Sequence, residues 1–518
     1  MTPWLTIIGV VPLAGALLVS LLPRGRDLLA KQVALVTSLV VLALTVAMCL
    51  DFSTDEGAAR FQFTQKHDWI KSFGVSYSVG ADGIALVLIA LVAVLVPVVL
   101  LASWDDVELL EASGQDAPGA KRKSVKSYFA LLLVLETMMI GVFAATDVFL
   151  FYVFFESMLI PMYFLIGSYG GPRRSYAAVK FLLYSLFGGL LMLAAVIGLY
   201  VQSAQHGTGT FSFEALTKLD ISHTTQAWLF LGFFIAFAIK APLFPFHTWL
   251  PDAGAEAPTG SAVLLVGVLD KVGTFGFLRY CLPLFPWAAR EFAPYVIALS
   301  VIGVIYGALL AMGQKDLKRL VSYTSVAHFG FIGMGCFAFT TQAGTGAVLY
   351  MVNHGLSTGA LFMVLGFLIN RGRTRLIPDY SGIAKVAPTL AALFFISGLS
   401  SLALPGLSTF ISEFLVLVGT FTRYKTAAVI ATAGIVLAAL YILLAYQRTM
   451  QGALSTAHEG MKDLRAREVA ALAPLIALMV FLGFYPKPLT DIINPAVAAT
   501  MHDVGATDPA PTDLVENR

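Results

Sequence analysis

The sequence predicts an all-α integral membrane protein of about fourteen transmembrane helices, with two inverted five-helix repeats that each contain a discontinuous helix. Three observations carry this reading. The 518 residues are 58% hydrophobic and 12% charged, with a mean hydropathy of +0.82, whereas soluble chains carry roughly 25% charged residues. The apolar residues come in runs of about twenty, the length a helix needs to cross roughly 30 Å of hydrocarbon, where the backbone must bond to itself. Two of these runs, five spans apart, stand out, one with three prolines and the other with a Pro-Gly pair.

Candidate spans cover residues 4–22, 32–50, 83–103, 127–145, 147–169, 177–201, 226–250, 261–282, 292–313, 318–339, 344–370, 388–421, 427–447 and 468–486. The first run has no basic segment before it and no small-residue cleavage signal after it, so it reads as a first membrane helix and not a signal peptide. Longer loops at 51–82, 104–126 and 202–225 are rich in Asp, Gly, Ser and Lys, as water-facing segments are. The tail from Asp503 to Arg518 is polar and proline-bearing and reads as a frayed terminus.

Basic residues alternate between loops. One set holds Arg24, Arg26, Lys31, Lys121, Arg122, Lys123, Lys126, Arg173, Arg174, Lys315, Arg371, Arg373, Arg375, Lys385, Arg448, Lys462, Arg465 and Arg467. The other loops hold far fewer: Arg60, Lys66, Lys71, Lys218, Arg290, Arg423 and Lys425. The positive-inside rule puts the first set in the cytoplasm and, with an even number of spans, both termini outside.

The seventh span reads "LFLGFFIAFAIKAPLFPFHTWLPDA", with Pro242, Pro245 and Pro251; the twelfth reads "ISGLSSLALPGLSTFISEFLVLVG", with Pro405 before Gly406. An interior proline removes a hydrogen bond and clashes with the preceding turn, so both helices should break near mid-membrane. Paired broken helices point to inverted repeats around an ion path. The expected organisation is three N-terminal helices in 1–126, a first repeat in 127–282, a second in 283–447, and a last helix with a polar tail in 448–518.

Ionisable residues inside the spans carry the functional signal, since each costs roughly 2.5–3.5 kcal/mol or more at the bilayer centre. Glu156, Lys240 and Glu413 fall well inside their runs, and Lys271 directly follows Asp270. His247, seven residues after Lys240, would lie on about the same face of an unbroken helix. His328 and His354 lie within spans ten and eleven and suit proton relay, because imidazole titrates near neutrality. Lys318 starts span ten one turn before Ser322, beside Arg319, which reads as a cytoplasmic anchor. For a Glu–Lys separation of ~7 Å at an effective dielectric near 20, the Coulomb energy is ~2.4 kcal/mol. Moving a charge against ~150 mV costs ~3.5 kcal/mol, so one ion-pair switch is comparable to the load without meeting it alone. Two blander readings stand beside this one: static ion pairs between helices, and a b-type haem held by the histidines.

Other chemistries find no support. Cys49, Cys281 and Cys336 stand alone without a CxxC pair, which argues against an iron–sulfur cluster or a disulfide framework. There is no GxxxxGK[ST] phosphate loop and no convincing GxGxxG unit. A net charge of +2 gives no field to draw nucleic acid.

The motifs "FFESMLIPMYFLIG", "IKAPLFPFHTWLPDA" followed by "EAPT", "DLKRLVSYTSVAHFGF", "NHGLSTGALF" and "LPGLSTFISEF" closely resemble the antiporter-like membrane subunits of respiratory complex I. They occur in the family's order across spans five to twelve, and within the family the chain looks like the M-type (ND4-type) branch. Glu413 stands where L- and N-type relatives and antiporter subunits usually carry Lys, and no long C-terminal extension follows. The resemblance implies that Glu156 and Lys240 form a charge pair. Lys271 would be the central lysine, His328 and His354 part of a hydrated axis, and Glu413 the exit-side residue. It implies no cofactor in this chain, with NADH, FMN, iron–sulfur clusters and quinone in partner subunits. It places the chain in a bacterial plasma (inner) membrane, between L-type and N-type subunits. Gly254 replaces a His that the family usually carries after span seven, which leaves a loop role at that position in doubt. The rivals are a subunit of a multisubunit cation/proton antiporter, weighed against by Glu413, and a passive scaffold with static charge pairs.

Overall fold

The computed structural model describes residues 2–55, 57–112 and 123–509. Lys121, Arg122 and most of the expected frayed tail lie outside the described residues. The chain opens with α1 (Trp4–Leu21) and α2 (Asp27–Leu50), then β1 (Gln62–Ile70) and β2 (Val75–Ala81), which pair antiparallel. Then come α3 (Gly83–Ala102), a short α4 (Asp106–Ala112), α5 (Val125–Ala144), α6 (Val148–Tyr169) and α7 (Arg174–Gln205). The first interrupted helix is α8 (His223–Lys240) with α9 (Leu250–Glu256). It is followed by α10 (Thr259–Leu284), α11 (Pro286–Met312), α12 (Leu317–Phe337) and α13 (Thr341–Gly372). The second is α14 (Pro388–Ser401) with α15 (Ser408–Phe421), and α16 (Lys425–Met450), α17 (Ala466–Phe484) and α18 (Lys487–Asp503) complete the chain.

Twelve of these helices are long and apolar enough to cross a membrane. The hairpin at 62–81 stands in a segment expected to be loop, and α18 lies beyond the last expected span. Burial is graded across the bundle. α10 is wholly buried and α12 and α13 nearly so, while α1, α2, α16 and α17 turn most of their surface outward. Leu17, Leu18, Leu183, Phe187, Val429 and Val436 are among the large apolar side chains left exposed, as lipid-facing residues are.

Both expected breaks are present. α8 stops at Lys240, and residues 241–249 form turns. Pro242 and Pro245 cannot extend the helix, and its freed Ile239 carbonyl takes a bond from Trp249 Nε1 at 2.8 Å. His247 therefore sits in an irregular segment, and the helical spacing expected from Lys240 does not apply. The second break passes through Ala403 and Gly406, both at positive φ (59° and 91°), around Pro405. Only Gly406 holds that conformation without steric cost.

Helix starts are set by side-chain caps. Asp82 accepts from the Ala85 amide at α3, and Asp147 from Phe149 and Leu150 at α6. Asp316 accepts from Lys318 and Arg319 at α12. These satisfy amides that a helix N-terminus leaves free.

Candidate functional site

The three most buried helices bring their polar residues to one place. Lys271 lies at mid-length in α10 between two π-helical stretches, Leu265–Leu269 and Phe277–Cys281. A π turn shifts carbonyls away from their regular partners, and the Val266 carbonyl accepts from Lys271 Nζ. The same ammonium donates to Asp270 Oδ1 at 3.0 Å and to His354 Nδ1, on α13, at 2.6 Å. The His354 ring meets that of His328, on α12, edge-on at 5.3 Å between centroids.

From His328 the file continues through a residue the sequence reading missed. His328 Nδ1 lies 2.6 Å from the Tyr350 hydroxyl, which donates to Glu413 Oε2 at 2.9 Å. With the phenol donating to Glu413, Nδ1 of His328 is the donor to the phenol. Ser401, at the end of α14, places its Oγ 3.4 Å from His328 Nε2. Tyr350 precedes His354 by four residues on one helix face, the spacing that would have flagged it. Asp270, Lys271, His354, His328, Tyr350 and Glu413 are all buried. Lys271 and His354 each stand near the middle of a long helix, so the file crosses the bundle sideways instead of running from face to face.

Glu156 and Lys240 form a separate pair. Their charges act on each other through space, yet no hydrogen bond joins them: Lys240 Nζ and Glu156 Oε1 are both buried without a partner. Lys240 instead lies over the rings of Phe155, at 4.8 Å, and Phe181, at 5.8 Å. Gly189 on α7 makes room for the carboxylate, because a Cβ there would collide with Glu156 Oε1. Glu156 is only half-buried, on the flank of the bundle, and not enclosed as its apolar sequence neighbours suggested.

His247 and Lys318 stand apart from the file. The His247 ring lies 5.9 Å from that of Phe244 and 5.3 Å from that of Tyr306, with Nδ1 unpartnered. Lys318 donates to the Ala257 carbonyl at 2.9 Å. It forms part of the wall of a cavity of about 640 Å³ on the basic face, together with Asp106, Tyr169, Glu256 and Arg375. Arg375 reaches Glu256 at 3.2 Å and Asp316 at 3.3 Å. Gly254, where the resemblance leads to the expectation of His, packs close to Ser322 Oγ. Glu136 on α5, which the sequence reading also missed, is buried with both carboxylate oxygens unpartnered.

Among the described residues no group of three His, Cys, Asp or Glu side chains converges to hold a metal ion. His328 and His354 do not clasp a haem between them. His328 and His354 touch each other and commit their Nδ1 atoms to Tyr350 and Lys271, which leaves no gap between them for a porphyrin.

A helical membrane bundle with two interrupted helices and a lysine–histidine–carboxylate file at its centre defines an antiporter-like membrane subunit. Residues 145–483 match the family described as NADH:quinone oxidoreductase/Mrp antiporter, TM, and the chain belongs to that family. It is 52% identical over 532 residues to NADH-quinone oxidoreductase subunit M of Mycobacterium tuberculosis, covering 98% of this chain and 96% of that one. Subunit M of Rhodobacter capsulatus is 39% identical over 512 residues, covering 95% of each chain. A chain of respiratory complex I from Thermus thermophilus, solved with bound NADH, superposes with a TM-score of 0.85 at 31% identity. That match covers 97% of this chain and all of the other.

Proposed function

We propose that this chain is the M-type proton-translocating membrane-arm subunit of an NADH–quinone oxidoreductase. NADH oxidation and quinone reduction take place in partner subunits, which hold the FMN, iron–sulfur clusters and quinone site. This chain turns the energy they release into proton movement. The observation that carries the proposal is the buried file Lys271–His354–His328–Tyr350–Glu413. Hydrogen bonds of 2.6–2.9 Å and one imidazole–imidazole contact join its members. Burying so many ionisable groups is costly, and a static tie between helices could be made by apolar residues without that cost.

In this reading a proton enters from the basic, cytoplasmic face near Lys271, crosses the bundle through the histidines and Tyr350, and leaves from Glu413 to the other side. Lys240, at a helix break where its position is easiest to shift, and Glu156 form the switch. His247 and Lys318 serve the approaches to the file. The two interrupted helices occupy matching places in two five-helix repeats, 127–282 and 283–447, with 1–126 and 448–518 outside them. The chain sits in the plasma membrane between the L-type and N-type subunits, with both termini outside. The exposed part of Glu156 then faces a neighbouring subunit, with its Oε1 buried against Gly189.

The test is proton uptake by inverted membrane vesicles driven by NADH. Lys271→Ala and Lys240→Ala should assemble yet sharply lower proton uptake per NADH oxidised, with NADH oxidation itself slowed. Normal pumping by an assembled Lys271→Ala variant would refute the proposal. Pumping that needs a Na⁺ gradient and no NADH would assign the chain to a cation/proton antiporter instead.

A further inference from the structure

The lateral file raises a question of direction at Lys271. The helix that carries it continues to the face opposite the basic one, and a proton held in mid-membrane needs a barrier on that side. Eight residues beyond Lys271, about 12 Å along a helix, stands Arg279, inside the second π-helical stretch and almost wholly buried. Its Nη2 donates to Asp82 Oδ1 at 2.6 Å. Its guanidinium carbon lies 4.7 Å from the ring of Phe61, 5.1 Å from Phe275 and 5.9 Å from Phe213. These three rings form an aromatic collar around the cation, and Phe143 packs edge-on against Phe275 at 5.2 Å behind it.

Nothing in the proton file uses this pair, although Asp82 also caps α3. Two features suit it to a barrier. Arginine keeps its proton at any physiological pH, so unlike lysine or histidine it cannot pass one on. Asp82 Oδ1 is also shared between the guanidinium and the Ala85 amide, which fixes the pair to the start of α3. A fixed guanidinium beside a narrow dry constriction is a known physical means of excluding protons and cations from a pore.

We propose that Arg279, paired with Asp82 inside the collar of Phe61, Phe213 and Phe275, seals the route from Lys271 to the face opposite the basic one. A proton on Lys271 then leaves only sideways, through His354. The inference rests on Lys271 as a proton carrier, and its test separates the two ideas.

The test is passive proton flux into vesicles containing the assembled complex, driven by a potassium diffusion potential with valinomycin and no NADH. Arg279→Lys keeps a cation for Asp82 but introduces a shorter, titratable group. It should assemble and oxidise NADH, yet raise passive proton conductance at least several-fold and lower the pH gradient that NADH supports. An assembled Arg279→Lys complex as tight as wild type overturns the proposal. Phe275→Ser, which opens the collar, is the second variant. If neither variant assembles, the pair is a structural tie and the proposal is likewise overturned. Adding Lys271→Ala to the leaking variant should abolish the leak. A leak that persists in the double variant keeps the seal but removes Lys271 from the proton route.

Discussion

Tyr350→Phe is the sharpest test of the lateral file, because it deletes one oxygen and leaves every charge in place. That oxygen bridges His328 Nδ1 at 2.6 Å and Glu413 Oε2 at 2.9 Å. Without it two short hydrogen-bonded steps become one gap of roughly 5 Å, well beyond the reach of a hydrogen bond. Each buried partner left without its bond costs about 1–3 kcal/mol. If ~3 kcal/mol of this enters the barrier for transfer from His328 to Glu413, the step slows by about 100-fold. The space vacated is about one water-probe sphere at most, so a water would restore the path only in part. The assay is the initial rate of NADH-driven proton uptake by inverted vesicles, divided by the rate of NADH oxidation. Assembly is checked on a native gel. The expected outcome is an assembled complex whose ratio falls by the share this subunit contributes. A Phe variant that pumps like wild type while losing thermal stability would show Tyr350 to be a structural hydrogen bond, and the file to end at His328.

Glu156→Gln should impair pumping nearly as much as loss of Lys240, and Glu156→Asp much less; equal damage from both, read as proton uptake per NADH, would point to packing against Gly189 instead of charge. Glu413→Gln should cripple pumping although Tyr350 can still donate to its amide oxygen, whereas Glu413→Lys should retain part of it. A fully pumping Gln variant beside an unassembled Lys variant would mark Glu413 as a static partner. Away from the membrane interior, Asp463 accepts from the amides of Thr389 and Leu390 and so caps α14 from a neighbouring loop. Partial burial pushes its carboxyl up, but these amides and that of Leu464 outweigh it and hold the group below the usual carboxylate range. Its stabilisation is therefore complete above the unfolded value of about 3.9 and is lost as pH falls through the lower folded one. At pH 7 Asp463→Ala should cost about 1–2 kcal/mol, seen as faster hydrogen exchange at Thr389 and Leu390; unchanged exchange would refute the cap.

How much of this was legible in the sequence depends on what each feature costs. Broken helices and buried charges could be read because proline and ionisable groups are expensive inside a membrane wherever they occur. Lys240, Lys271, His328, His354 and Glu413 were found in this way. Tyr350 and Ser401 were not, since a phenol or hydroxyl is cheap to place in a helix and declares its role only through its partner. Glu136 obeys the same rule as Glu156 and was simply overlooked in "LLLVLETMMIGVFA". The hairpin at 62–81 was hidden because β1 is mostly polar and exposed, with no clean alternation. α18 was hidden by its low hydropathy, with Lys487, Asp491 and His502 along it. The lateral course of the file was invisible because it depends on how α10, α12, α13 and α15 meet, and a chain shows only its neighbours in order. For the same reason the apolar surroundings of Glu156 in the sequence gave no sign that it stands on the bundle flank.

On the proposed reading a change at Lys240 has to reach Lys271, and no hydrogen bond joins the two. The packing of Gly273 supplies an answer. Gly273 lies two residues beyond Lys271, and its bare Cα faces the last turn of α8. A Cβ there would collide with the Phe237 carbonyl and come within 2.6 Å of the Ala241 amide nitrogen. Those two atoms form the closing hydrogen bond of α8, at 2.7 Å, on either side of Lys240 in the sequence. The helix end that carries Lys240 is therefore in backbone contact with the turn of α10 that follows Lys271. Close-packed interiors transmit small displacements because they have no free volume to absorb them. A change of charge at Lys240 that shifts this helix end by a few tenths of an ångström must displace Gly273 as well. Lys271 makes bonds to Asp270, His354 and the Val266 carbonyl, so the same movement alters the donor geometry at the start of the file. On the proposed reading, mechanical contact at Gly273 is a second contribution that acts beside the field of Lys240.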